Sequence, residues 1–293
     1  MVEKGIRIKI PGLKTLHIGV GKLFSTLLLL VFALIMTLPL VYAIGTAFKP
    51  LDELLRFPPI FFVRRPTLNN FGDLFLALDS SDVPFLRYLF NSVLVTALST
   101  AGTILVATTG GYSLSKLKLP FKKTLFTLVV VAMTFPGAVT TIPSYMLIKG
   151  MGMYDSYAAL TVPMIAGAYG IFLMKQFCDQ LPVPILEAAR IDGANEFKVY
   201  SSIALPFLRP AWGTLLVFTF TAVWNDGGSS LIYTVNQNLR LLPVMLASIS
   251  ENGTLARAGA SAAASLLLLI PSIVVFILQQ RKVMETMAHS GIK

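Results

Sequence analysis

A compact polar block, "EAARIDGANEFKVYSSIALPFLRP", Glu187–Pro210, carries six charges between two long apolar stretches. Other reactive groups are scattered. The two histidines, His17 and His289, sit in opposite terminal segments, an arrangement unsuited to a His-based metal or acid–base site. A single cysteine, Cys178, excludes an intrachain disulfide. "GVGK" at 19–22 fails as a phosphate loop, because Leu16 and Leu23 stand where that loop needs Gly and Ser or Thr. The chain is therefore not expected to hydrolyse ATP by itself. What the Glu187 block offers is a binding surface. Pro184 suits a first helical turn, and Glu187, Ala188, Ala189 and Arg190 are good helix formers. Gly193 permits the left-handed conformation that ends a helix. A second short helix, about Asn195–Ile203, is expected to run until Pro206 breaks it. The result is an angled elbow in which Ala188, Ala189 and Ala194 allow close approach, Glu187, Arg190 and Asp192 offer charge pairs, and Phe197 and Tyr200 anchor the second arm. A solvated linker is the plainer alternative.

The elements that must carry this elbow are set by composition. Of the 293 residues, 55% are hydrophobic and 13% charged, against about 25% charged in soluble domains; mean hydropathy is +0.74. Charge-free windows at Phe24–Phe48, Thr124–Ile148, Ser156–Met174 and Ala258–Gln280, with Tyr88–Leu114 and the shorter Pro210–Asn225, read as six transmembrane helices. The fold class is all-α, a polytopic membrane protein. The first apolar run is too long for a signal-peptide core and lacks a small-residue cleavage site.

The net charge of +10 follows topology rather than a nucleic-acid surface. With the N-terminus inside, sixteen basic residues face the cytoplasm and eight face out. Residues 1–23 form a basic cytoplasmic leader, in part lying on the membrane surface. Residues 24–280 form one membrane domain with an external loop at 49–87, an inner polar loop at 175–209 and a cytoplasmic tail at 281–293. Helix three is expected to tolerate Pro136 and Pro143. All 14 acids lie outside the six spans, Asp226 at an edge, which argues against a carrier that titrates a buried carboxylate.

The block's motif resembles the EAA loop of permease subunits of ATP-binding-cassette importers. Glu187, Ala188, Ala189, Asp192, Gly193, Ala194, Ile203, Leu205 and Pro206 match in order and spacing. "NSVLVTAL" at 91–98, "GYSLSKLKLPFKK" at 111–123, "VWNDGGSSLIY" at 223–233 and "RLLPVMLA" at 240–247 are similar to other segments of the maltose-type carbohydrate group, in its smaller six-helix subunit. Val183-Pro184 departs from the family's usual Lys-Glu, Leu241 from its Thr, and "TMAHSGIK" from its commoner small-residue ending.

The resemblance implies a type I importer fold, a heterodimer with a second permease, two ATPase subunits that bind ATP and Mg, and an extracytoplasmic substrate-binding protein. This chain itself would bind no cofactor and, apart from lipid and these proteins, no nucleic acid. It would sit in the cell (inner) membrane with both termini cytoplasmic. Glu187, Ala188, Ala189, Arg190, Asp192, Gly193, Ala194, Leu205 and Pro206 would couple it to the ATPases. Asn91, Tyr145, Trp224 and Asn225 are candidate path-lining residues for a carbohydrate, an oligosaccharide that the tail variant and Arg64-Arg65 suggest is acidic. A membrane transferase, using Asp52, Glu53 and Asp73, or an ion-driven carrier are the alternatives.

Overall fold

The computed structural model describes residues 5–8, 16–79, 83–251 and 258–291. Two short strands, β1 (Gly5–Ile8) and β2 (Leu16–Gly19), pair antiparallel with Gly5 opposite Gly19. This hairpin was not expected of the leader. Its alternating Ile and Leu positions are the signal that was available. Among the described residues, every regular element after it is a helix.

The described residues up to Asp73, with the beginning of the last helix to Leu266, form one compact unit. Its main element is α1 (Val20–Phe48), about 44 Å long at 1.5 Å per residue and apolar all round, the composition of a lipid-immersed helix. After α2 (Leu51–Leu54), the carboxylate of buried Glu53 accepts the backbone N–H groups of Arg64 and Arg65, each at 3.1 Å. Lys49 donates to the Ile60 carbonyl and lies 4.6 Å from the Tyr42 ring centroid. The segment from Lys49 to Arg65 is thus folded over its own acids. Glu53 is spent on backbone capture and Asp52 on the Arg65 guanidinium, which leaves neither set up as a catalytic acid.

A helix, α3 (Asn69–Asp79), follows, and the second unit holds most of the chain. At its centre stands α4 (Phe85–Lys116). Its inward positions include Ser92, Thr96, Ser99, Thr103, Ala107 and Gly111, recurring every three or four residues. Small residues in this register let helix backbones approach closely. α7 (Tyr157–Ile165), α8 (Ala168–Asp179) and α12 (Arg209–Trp224) pack against it. Gly111 is the tightest point. A Cβ there would lie 2.6 Å from the Met174 Cβ and 2.7 Å from the Lys175 backbone nitrogen, so no larger residue fits without moving α8.

Among the described residues, four helices are long and apolar enough to cross a membrane: Gly21–Phe48, Phe85–Lys116, Tyr157–Asp179 and Ala258–Met284. The remaining two expected spans are bent pairs. The stretch read as a continuous third helix is broken into α5 (Lys122–Ala132) and α6 (Gly137–Gly150), whose axes turn by 113°. Pro136 causes the break. It has no N–H to continue the ladder and drives Phe135 out of helical geometry, whereas Pro143 is absorbed inside α6. The short fifth stretch, Pro210–Asn225, corresponds to α12, which turns 73° from the segment before it.

An outer loop is expected over roughly Asp226–Arg257; its described residues, 226–251, instead form α13 (Gly228–Tyr233), a 3₁₀ turn (Gln237–Leu239) and α14 (Leu242–Glu251). The Leu242 N–H donates to Ser92 Oγ at 2.7 Å, tying α14 to α4. Finally, α15 (Ala258–Gly291) continues without interruption past residue 281, where a separate tail was expected.

Candidate functional site

The polar block folds as an angled elbow. α9 (Val183–Ile191) begins just after Pro182, with Pro184 in its first turn. It ends as its glycine requires. Gly193 adopts φ +84°, the Gly193 N–H donates to the Arg190 carbonyl and the Ala194 N–H to the Ala189 carbonyl, both at 3.0 Å. These are the paired bonds of a Schellman close. The second arm starts at Asn195, whose side chain accepts from the Lys198 N–H at 2.8 Å, a helix N-cap. α10 (Glu196–Val199) then widens into a π-turn, Tyr200–Ala204, and continues through α11 (Leu205–Phe207).

Pro206 therefore does not break the second arm. The wider π-turn before it relieves the clash of a proline ring with the carbonyl of the preceding turn, and the chain bends only at Leu208.

The elbow is part of the bundle, not a tether beside it. Leu186, Val199, Ala204 and Leu208 are buried in one apolar cluster with Ala107 and Tyr112 of α4, Met174 and Phe177 of α8, and Ala211 and Leu215 of α12. Polar bonds reinforce the join. Tyr200 packs on Tyr112 with ring centroids 5.3 Å apart, and its hydroxyl is 2.9 Å from Thr108 Oγ1. Tyr112 donates to Glu196 Oε2 at 3.1 Å, and Arg190 donates to Glu196 Oε1 at 2.7 Å and to Oε2 at 3.3 Å. Arg190 and Glu196 thus brace the two arms against each other and, through Tyr112, against α4. The Arg190 guanidinium beside Glu196 holds its carboxyl below the usual range, with the Tyr112 hydroxyl adding to the effect against partial burial. At the entry to the elbow, Asp179 accepts from Lys175 Nζ and Ser115 Oγ at 2.6 Å each, and Lys116 Nζ donates to the Leu181 carbonyl at 2.7 Å.

The elbow residues divide between two faces. Ala189 and Ala194 pack inward against the cluster, and Leu205 is half-buried. Glu187, Ala188, Asp192, Gly193 and Pro206 are exposed. Arg190 is turned to Glu196 rather than outward to a partner. Phe197, expected to anchor the second arm, is 76% exposed, and Ile191 is 85% exposed. Of the two aromatics only Tyr200 anchors the arm, alongside Val199, Ala204 and Leu208, while Phe197 stays on the open side. Val183 and Ile185 are exposed as well, and a hollow of about 270 Å³ in the elbow is lined by Asp192, Gly193, Lys198 and Ser202 among others. The cap at Asn195, the π-turn and the Glu196 brace went unpredicted; only Asn195 before Glu196 was a readable signal.

At the other end of the bundle, Asn91 is fully buried. Its Nδ2 donates to the Asn238 and Arg240 carbonyls at 2.7 and 2.9 Å, and its Oδ1 accepts from the Tyr157 hydroxyl at 2.7 Å. Trp224 is 5% exposed, donates to the Leu268 carbonyl at 3.0 Å and stacks on Phe220. Tyr145 is half-buried, edge-on to Tyr154. Asn225 is exposed, donating to the Thr221 carbonyl at 2.8 Å.

A helical membrane bundle with a rigid elbow at one end matches a known family. Residues 102–282 fit the model of the binding-protein-dependent transport system inner membrane component. The chain belongs to this family. This permease is 32% identical over 216 residues to the polygalacturonan/rhamnogalacturonan transport system permease protein YtcP of Bacillus subtilis, covering 73% of each chain. It is 31% identical over 263 residues to the sn-glycerol-3-phosphate transport system permease protein UgpE of Yersinia enterocolitica, 88% of this chain and 93% of that one. Its fold is shared with a bacterial ABC transporter involved in the import of the acidic polysaccharide alginate, at TM-score 0.75 and 19% identity over 89% of this chain and 96% of the other. The permease is a multi-pass, all-α membrane subunit of an ABC importer that works with a binding protein, and ATP hydrolysis belongs to partner subunits.

Proposed function

We propose that this permease imports a carbohydrate by alternating access and that the elbow couples it to two ATPase subunits, which hold the ATP and Mg. The observation that carries the reading is the elbow's construction. Its inner side is fused into the bundle core through Leu186, Val199 and Tyr200, while Ile191 and Phe197 stand exposed on the other. A body rigidly joined to α4, α8 and α12 moves them when it is moved, and exposed apolar side chains next to a hollow suit a partner surface. Glu187 and Asp192 would supply polar contacts at its rim, Ala188 close fit and Gly193 the bend.

The carbohydrate assignment is supported by the relatives' substrates, among them polygalacturonan and alginate. A second permease subunit completes the pathway in this reading, both termini lie in the cytoplasm, and each bent helix pair counts as one span, six in all. Asn225 and Tyr145 are the better candidates for the substrate path, since Asn91 and Trp224 have their polar groups engaged internally.

Gly193→Pro tests the coupling. Proline cannot adopt φ +84° or donate to Arg190, so the subunit should insert and assemble while uptake falls to background and ATPase activity no longer responds to the binding protein. Wild-type uptake would end the assignment. Phe197→Cys provides an independent check, with cross-linking expected to an ATPase subunit in the assembled transporter and to no other partner.

A further inference from the structure

The end of α12 opposite the elbow carries a cavity of about 340 Å³, bounded by Gly227 and Gly228, by Leu231 of α13, and by Arg240, Val244 and Ser248 at α14. Arg240 is its one charged wall. The Arg240 Nε is enclosed and finds no acceptor among the described residues. Its backbone is pinned, with the N–H donating to the Gln237 carbonyl at 3.2 Å and the carbonyl accepting from Asn91 at 2.9 Å, so the side chain is presented from a fixed base. Two acids of the surrounding segments have one oxygen engaged by backbone. Asp226 Oδ1 accepts from the Ser229 N–H at 3.1 Å, and Asp155 Oδ1 accepts from the Val235 and Asn236 N–H groups at 2.9 Å each. The Ser248 hydroxyl donates to the Met245 carbonyl at 2.7 Å.

An enclosed guanidinium N–H without an acceptor is costly, and a small-molecule oxyanion is the chemistry that satisfies it, because the fork of donors matches carboxylate and phosphate oxygens. The two glycines keep the mouth free of side chains, and the volume lies at the lower end of small-ligand pockets, about 300–1,000 Å³. That space holds one sugar ring or a small ester, not an oligomer.

We propose that this cavity binds the carboxylate or phosphate of a small anionic solute, with Arg240 as the forked donor. The inference rests on the reading of the chain as a solute permease and supplies a charge preference for it. The test uses the full chain in phosphatidylcholine nanodiscs, titrated calorimetrically with galacturonate and glycerol 3-phosphate and with their neutral counterparts galactose and glycerol. One anion should bind at least about tenfold more tightly than its counterpart, and Arg240→Gln should abolish that preference while Arg240→Lys, a point charge without the fork, keeps part of it. Preference for galacturonate assigns a carboxylate and preference for glycerol 3-phosphate assigns a phosphate. Val244→Trp fills the cavity with Arg240 retained and should block binding equally, which keeps the test decisive if Arg240→Gln misfolds. Adding phosphatidylglycerol to the bilayer should leave solute binding unchanged. Absence of any anion preference, a preference that survives both Arg240→Gln and Val244→Trp, or displacement of the solute by phosphatidylglycerol would overturn the proposal. No ATPase is present in this assay, so its failure leaves the Gly193→Pro experiment standing, and the converse holds.

Discussion

The Arg190–Glu196–Tyr112 chain of bonds links the two arms of the elbow to α4, and its members differ in what they contribute. Arg190 and Glu196 form an ion pair with side chains 34% and 50% exposed, a class that typically contributes about 0.2–1 kcal/mol. Tyr112 is buried, and its hydroxyl is the part of the chain of bonds that reaches the membrane bundle. Tyr112→Phe keeps the ring packed against Tyr200 and removes the hydroxyl's bonds to Glu196 and Arg190, a loss of about 1.5–3 kcal/mol for a bond to a charged group. The expected outcome is normal assembly with more ATP hydrolysed per solute imported, measured in reconstituted vesicles. Because the Glu196 carboxyl is held below its usual range in the folded protein, its contribution is present above the unfolded glutamate range and disappears as pH falls through the lower folded value. Thermal melts of wild type and Glu196→Gln should therefore differ at neutral pH and converge in acid. A constant difference across that range would mean the carboxylate charge does not matter to the brace.

At the scale of elements, close helix packing and proline placement decide the shape. The α4–α8 contact depends on Gly111, where a methyl group would meet backbone as well as side chain. Gly111→Ala is expected to destabilise the bundle by about 1–3 kcal/mol, the usual cost of overpacking, seen as a lower melting temperature in detergent. Gly102→Ala is the contrast. There the nearest atoms belong to the Ile165 side chain, which can change rotamer, so the loss should be smaller. Two prolines show why element boundaries resist reading from sequence. Pro136 stops a helix and Pro206 does not. The difference lies in the π-turn at Tyr200–Ala204, which no local residue preference announces.

Across the whole molecule, the second unit is organised so that its polar end and its bundle share one core. Cys178 lies in that core with no exposed surface, which makes it a natural reporter. A maleimide should leave the folded protein unlabelled and label it fully after denaturation, and labelling in the native state would contradict the packing of the elbow against α8.

The sequence by itself determined the membrane class, four of the crossings, the elbow and the glycine that closes its first arm. Hydrophobic length and Gly or Pro dihedral limits are local properties, written in consecutive residues. The sign of exposure at each polar or aromatic position was decided only by the tertiary structure. Phe197 points out while Tyr200 points in, Asn91 and Trp224 are sealed inside, and the Arg240 Nε is enclosed without an acceptor among the described residues. Burial is set by which helices arrive from elsewhere in the chain, as α14 meets Ser92 across some 150 residues, and short-range patterns carry no record of that meeting.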